Sequence, residues 1–141
     1  MKIINYFYRI MKNKAMVSGI IAIMACWTVT VPACAEKIRL TESFHQYNIK
    51  IKTGDKLEIT LAGNPTTGYT WEKVEGDNKT LSPQGDYKYT PDSQLVGAGG
   101  KFVFTFRGAA RGKTKLRVIY HRIFEKNVAP LKSFELMITV E

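Results

Sequence analysis

From residue 47 to the carboxyl end, apolar and polar residues alternate with a period of two. Tyr47, Ile49 and Ile51 keep this rhythm, as do Leu57, Ile59 and Leu61, then Phe102, Phe104 and Phe106. Leu116, Val118 and Tyr120 repeat it, and Phe134, Leu136, Ile138 and Val140 close the chain with it. Such alternation sets one row of side chains on a buried face and the next on a wet one, which is the mark of half-covered strands. Turn residues part the runs: Thr53-Gly54-Asp55, Gly63-Asn64-Pro65, Gly76-Asp77-Asn78, Gly85-Asp86 and Arg111-Gly112. Beyond the first 35 residues no segment carries a helical stripe, and there is no internal repeat. Short strands spaced by turns predict an all-β sandwich or barrel.

The first 35 residues read differently. Lys2, Arg9, Lys12 and Lys14 make a basic start, an apolar run extends from Ala15 to Trp27, and Ala33-Cys34-Ala35 offers a small-x-small cleavage motif. That order is expected of a secretory signal peptide, so residues 1–35 are assigned to it and 36–141 to one exported domain, periplasmic or secreted. The long basic start leaves Met1 and Met11 both open as initiator. The apolar run is shorter than the roughly 20 residues of an ordinary membrane span. Val31-Pro32-Ala33-Cys34 also loosely matches a lipobox, which would anchor the protein through Cys34; without that, no membrane association is expected. After Ala35 there is no cysteine, which excludes disulfides, a thiol nucleophile and a Cys-ligated zinc in the domain. Its 106 residues suffice for one core.

Removing the leader takes four of the 21 Lys+Arg, leaving 17 against 12 Asp+Glu and a net charge of +5. The densest basic stretch is Arg107, Arg111, Lys113, Lys115 and Arg117. It reads as the solvated face of a strand around a turn rather than as a nucleic-acid surface, and no nucleic acid is expected as a partner. Asn78-Lys79-Thr80 is a glycosylation sequon, meaningful only in a host that glycosylates exported proteins.

Catalytic chemistry finds little support. His45 and His121 stand far apart in sequence, without carboxylates at ligand spacing, and no G-x-S-x-G stretch is present. Glu58, Glu72 and Glu75 are the carboxylates left to consider for glycoside chemistry, and their spacing does not recommend it. Gly97-Ala98-Gly99-Gly100 leads into the strand-like run from Lys101 to Phe106 instead of a helix N-terminus, so it is no phosphate cradle. No cofactor, metal or enzymatic activity is expected.

Three connections exceed what a tight hairpin needs: Ala62 to Gly68, Pro91 to Gly100, and Ile123 to Leu131. With strands running up and down in order, these three share one end, where binding loops of a sandwich gather. Asn64-Pro65-Thr66-Thr67-Gly68-Tyr69-Thr70-Trp71 is the most informative stretch. Pro65 fixes its own φ and Gly68 permits a positive one, giving a stiff loop with two small hydroxyl residues at its tip. Tyr69 and Trp71 begin the following strand and read as core residues.

As a string, N-P-T-T-G-Y-x-W resembles the signature loop of the chagasin family of cysteine protease inhibitors. Leu95-Val96-Gly97-Ala98-Gly99-Gly100 is similar to that family's glycine-rich second loop. Tyr120-His121-Arg122-Ile123-Phe124-Glu125 falls where its R-P-W loop belongs, with Ile123 in place of proline and Phe124 in place of tryptophan. The resemblance implies an immunoglobulin-like β-sandwich whose three loops enter the active-site cleft of papain-family, cathepsin-like cysteine proteases, as a reversible steric inhibitor acting as a monomer. It also implies the contacts: Thr66 nearest the catalytic cysteine, with Asn64, Pro65, Thr67, Gly68 and Tyr69 around it. Leu95, Gly97, Gly99 and Gly100 would follow on one side, and Arg122 with Phe124 on the other. A positive φ is expected at Gly99, and a weaker, more mobile third loop from the loss of proline and tryptophan. The altered third loop leaves one alternative, an exported module of the same fold that recognises another protein or a polysaccharide.

Overall fold

The computed structural model describes residues 34–141; the basic start, the apolar run and the first residue of the cleavage motif lie outside them. The described residues form nine strands: β1 Lys37–Thr41, β2 Asn48–Ile51, β3 Lys56–Gly63, β4 Tyr69–Glu75, β5 Leu81–Pro83, β6 Lys88–Pro91, β7 Gly100–Gly108, β8 Gly112–Arg122 and β9 Lys132–Val140. Two single turns of 3-10 helix interrupt them, Glu42–Phe44 and Pro65–Thr67, and among the described residues there is no α-helix. The strands make two open sheets. One has the order β1-β3-β7, with β5 and β6 both lying along the outer edge of β7; the other has the order β2-β9-β8-β4. β1 runs parallel to β3 and β2 parallel to β9, while the remaining pairs are antiparallel.

The alternation in the sequence becomes the core. Leu57, Ile59, Leu61, Phe102, Phe104 and Phe106 from the first sheet join Leu116, Val118, Tyr120, Phe134, Leu136, Ile138 and Val140 from the second in one buried cluster. Each large apolar side chain buried in this way contributes about 1.5–3 kcal/mol. Leu40, Ile51 and Leu81 join from the shorter strands and Trp71 from β4; its indole N–H donates to the Ala62 carbonyl at 3.1 Å and its ring lies 5.0 Å from that of Tyr120.

Tyr47 departs from the expected pattern. It precedes β2 and is exposed, its ring meeting the edge of Phe44 at 5.6 Å. The 3-10 turn Glu42–Phe44, followed by Gln46 at φ 64°, redirects the chain before β2 pairs, so the alternation counts only from Ile49. Three strands were not anticipated at all, β1, β5 and β6. They sit at sheet edges, β5 and β6 carry Pro83 and Pro91, and Gly85 at φ 81° breaks the line between them. Short, proline-bearing edges deny a neighbouring chain a strand to pair with, and they leave little periodicity to read.

Strand register sorts the connections between two ends. Lys37, Lys56 and Arg107 align at one end, as do Ile51, Val140 and Gly112. At the other, Gly63 faces Gly100 and Tyr69 faces Arg122. Here β3 crosses to β4 in the second sheet through 64–68, flanked by the β6–β7 connection (92–99) and the β8–β9 connection (123–131).

Candidate functional site

Asn64 builds the first loop and ties it to the second. Its side-chain oxygen accepts from the Thr66 backbone N–H at 3.1 Å and from the Thr66 hydroxyl at 2.7 Å, capping the short turn Pro65–Thr67. Its backbone carbonyl accepts from the Thr67 hydroxyl at 2.6 Å, so both tip hydroxyls are engaged within the loop. Its side-chain N–H donates across to the Gly97 carbonyl at 2.8 Å. From below, the Tyr120 hydroxyl accepts from the Asn64 N–H at 2.7 Å. Pro65, Thr66, Thr67 and Gly68 are exposed. Gly68, at φ 80°, ends the turn with its N–H on the Pro65 carbonyl, a conformation that side chains resist.

The second loop turns at Leu95–Ala98. The Ala98 N–H donates to the Leu95 carbonyl at 3.1 Å, and Gly97 stands at φ 80° in the third position, where such a turn calls for glycine. Leu95 and Val96 project as exposed apolar residues, 78% and 106% accessible. Gly99 corrects an expectation: its φ is not among the positive ones, and a Cβ there would meet the Gly63 carbonyl at an ordinary 3.7 Å. The strain expected at Gly99 belongs to Gly97. Gly100 is buried, and a side chain there would collide with the Thr90 backbone and the Tyr89 ring.

The third loop opens with another turn, closed by the Glu125 N–H on the Arg122 carbonyl at 3.1 Å. Ile123 and Phe124 occupy its tip, 72% and 70% exposed. The Arg122 guanidinium lies 4.5 Å over the Tyr69 ring, 5.9 Å from that of Phe124, and donates to the Glu125 carboxylate at 2.8 Å. That hydrogen bond, then the charge of its surroundings, raises the Arg122 pKa above its ordinary value. The ion pair and the backbone bond close the turn without the missing proline. Tyr69 is half-buried between Tyr120, 5.3 Å away, and Arg122, so it supports the third loop from inside. A Cβ on Gly68 would meet the Phe124 ring at 3.1 Å, so the third loop leans on the first.

The three loops therefore meet: the second through Asn64 and Gly97, the third through Gly68 and Phe124. Tyr120 was legible only as a core residue; an aromatic ending an alternating strand beside a loop was its sole signal. The Asn64–Gly97 bond had none.

The remaining candidates disperse. His121 pairs with Glu72 at 2.7 Å on the outer face of the second sheet, while His45 accepts the Glu135 N–H at 3.1 Å. Glu58 is held by Lys37 at 2.7 Å in the first sheet, and Glu75 approaches Lys115 at 3.8 Å in the second, so the three carboxylates share no site. Among the described residues no cluster of metal-ligating side chains occurs. In the basic stretch, Lys115 and Arg117 both reach Glu135, at 3.3 and 3.1 Å, as a solvated face should.

An all-β module with three interlocked, apolar-tipped loops at one end is built to bind by shape. The chain belongs to the chagasin family of peptidase inhibitors, whose model matches residues 50–138; this is a family of protease inhibitors, not of enzymes. It is 35% identical over 104 residues to amoebiasin-1 of Entamoeba histolytica, covering 72% of this chain and 98% of that one. With chagasin of Trypanosoma cruzi it shares 30% identity over 88 residues, 60% of this chain and 80% of the other. Its structure is similar to the crystal structure of a cysteine protease inhibitor from Entamoeba histolytica, with a TM-score of 0.68, 27% identity, and coverage of 77% and 98% of the two chains.

Proposed function

We propose that the protein is a reversible, steric inhibitor of papain-family cysteine proteases, and that the three-loop end enters the active-site cleft. The carrying observation is the interlock itself: Asn64 bonded to Gly97, and Phe124 packed on Gly68. Loops held in place before binding lose little conformational freedom on complex formation, which is what a competitor of substrate needs. Thr66 is assigned to the position over the enzyme's cysteine, framed by Asn64, Pro65, Thr67, Gly68 and Tyr69. Leu95, Gly97 and Gly99 contact one wall, and Arg122 with Phe124 the other; Gly100, expected among the contacts, is buried in the sheet and serves only to let the second loop pack close to Tyr89 and Thr90. Exposed apolar tips on both flanking loops support this reading, because such side chains are the usual anchors of an interface.

The two sheets around one core support an immunoglobulin-like sandwich, acting as a monomer. The reading extends to export: a signal peptide over 1–35, and a secreted or periplasmic domain over 36–141. Titration of papain tests the function. Stoichiometric, reversible loss of activity with the inhibitor left uncut is expected. Undiminished activity at high inhibitor excess would favour the other reading, a module for a different protein or a polysaccharide, to which Ile123 and Phe124 lend some support.

A further inference from the structure

We propose that the return arm of the third loop, residues 126–132, is a second contact surface that reads an apolar patch rimmed by carboxylates on the protease beside the cleft, and so decides which papain-family enzymes are held tightly. Exposed large apolar side chains gather on this loop: Ile123, Phe124, Val128 and Leu131 all stand within 123–131. Ile123 and Phe124 form the tip, whereas Val128 and Leu131, each 61% exposed, follow it on the arm and belong to no core cluster. Exposed apolar side chains concentrated in one place mark an interaction surface. The chain does not need the arm in order to reverse, because the turn closed by Arg122 and Glu125 already redirects it at the tip. Hairpin connections commonly take only about two to five residues.

The arm is built to keep its shape. Asn127, at φ 61°, turns the chain back after the tip. Pro130 fixes its own φ and holds Ala129 extended, so stiffness that Ile123 does not give the tip is supplied here. The Leu131 N–H donates to the Tyr120 carbonyl at 2.9 Å and pins the arm to β8. Val128 and Ala129 line a small cavity together with Tyr69, Arg122 and Glu125, the group that also carries Phe124, so tip and arm share one support. Charge selects the occupant. Arg122 and Glu125 neutralise each other at 2.8 Å, whereas Lys126 and Lys132 are exposed and make no ion pair among the described residues. The first loop, 64–68, has no charge, and the second, 92–99, has only Asp92, 4.0 Å from Lys101. Unpaired positive charge in the three loops is thus confined to the third, where two lysines bracket Val128 and Leu131 in the chain. Apolar surface bordered by Asp or Glu is its complement. A symmetric second copy is not, since it would set the same lysines against one another. The inference rests on the inhibitor reading, because the arm meets a protease only when the tips enter its cleft.

The test measures association and dissociation of the full chain with papain, cathepsin B and cathepsin L. Wild type should favour one of the three by about tenfold or more, and Val128→Ser with Leu131→Ser should erase most of that preference by speeding dissociation from the favoured enzyme. Val128→Ile with Leu131→Met keeps the arm apolar and should preserve the preference, and melts of both variants should match wild type. Association with the favoured enzyme should slow as salt is added, and Lys126→Gln with Lys132→Gln should flatten that dependence while changing dissociation little. Phe124→Ala is the reference for the tip and should weaken all three complexes alike. The proposal is overturned by a wild type that does not discriminate, by a preference that survives the Ser variant, by a loss accompanied by a lower melting temperature, or by a salt response that the Gln variant retains. Absence of inhibition of all three enzymes by wild type overturns the inhibitor reading itself, and this inference with it.

Discussion

Thr66 and Phe124 carry the sharpest expectations at the scale of single residues. Thr66 is exposed at a tip whose hydroxyls are already engaged, so its replacement touches no core contact. Thr66→Arg should abolish inhibition of a papain-like enzyme and leave the unfolding midpoint nearly unchanged, as surface substitutions do. Full inhibition by this variant would show that the tip does not face the catalytic groove. Phe124 is 70% exposed and leans on Gly68, so it belongs to the surface, not the core. Phe124→Ala should therefore cost on the order of 2 kcal/mol, about thirtyfold in the inhibition constant, with little change in melting temperature. A sharp fall in melting temperature with unchanged inhibition would make it a structural residue. Ile123 holds the second position of the Arg122–Glu125 turn, which proline suits, so Ile123→Pro with Phe124→Trp should tighten inhibition.

Among elements, the second loop separates conformation from contact. Gly97→Val should weaken inhibition by placing a β-branched residue at φ 80°, whereas Gly99→Ala, with room for its methyl, should be close to neutral; inhibition constants for the pair decide. The turn between β4 and β5 makes a pH prediction. The Thr80 hydroxyl, then the Lys79 N–H, hold the Asp77 carboxyl below its ordinary 3.8. Its stabilising contribution is complete above that value and is lost as pH falls through the lowered one. Asp77→Asn should thus be less stable at neutral pH, with the difference shrinking in acid; a parallel acid limb in melts of the two proteins would contradict this. Strands with one covered face, β3, β7, β8 and β9, were legible because alternation is what half-burial imposes. β1, β5 and β6 were not, since an edge strand of three to five residues is placed by its neighbour and carries no pattern of its own. Gly99 shows the same limit in a loop: glycine content located the turn, but not which glycine bears the positive φ.

At the scale of the whole molecule, the site depends on how the two sheets meet, and that is where the sequence was least legible. The N-P-T-T-G string located the first loop, yet its neighbours depend on strand order: β7 delivers the second loop from one sheet and β8 the third from the other. Tyr120 joins these facts. It belongs to β8 in the second sheet, is 6% exposed, and stacks between Tyr69 and Trp71 within the common core. Its hydroxyl reaches the Asn64 N–H at 2.7 Å, just past the end of β3 in the first sheet. One phenol thus connects the core, both sheets and the residue that holds the first two loops together. Tyr120→Phe keeps the ring and removes only the hydroxyl, leaving the Asn64 N–H without its partner, at a cost of about 1–3 kcal/mol where it is shielded from water. We expect a lower melting temperature and, because Asn64 also holds Gly97, weaker inhibition by about five- to tenfold, a loss of around 1 kcal/mol in binding. Asn64→Ala should lose at least as much inhibition, since it removes both the cap on Thr66 and the bond to Gly97. The double variant tests whether the two residues act as one unit: its loss should fall well short of the sum of the single losses. Fully additive losses would mean that Tyr120 stabilises the core without positioning the loop.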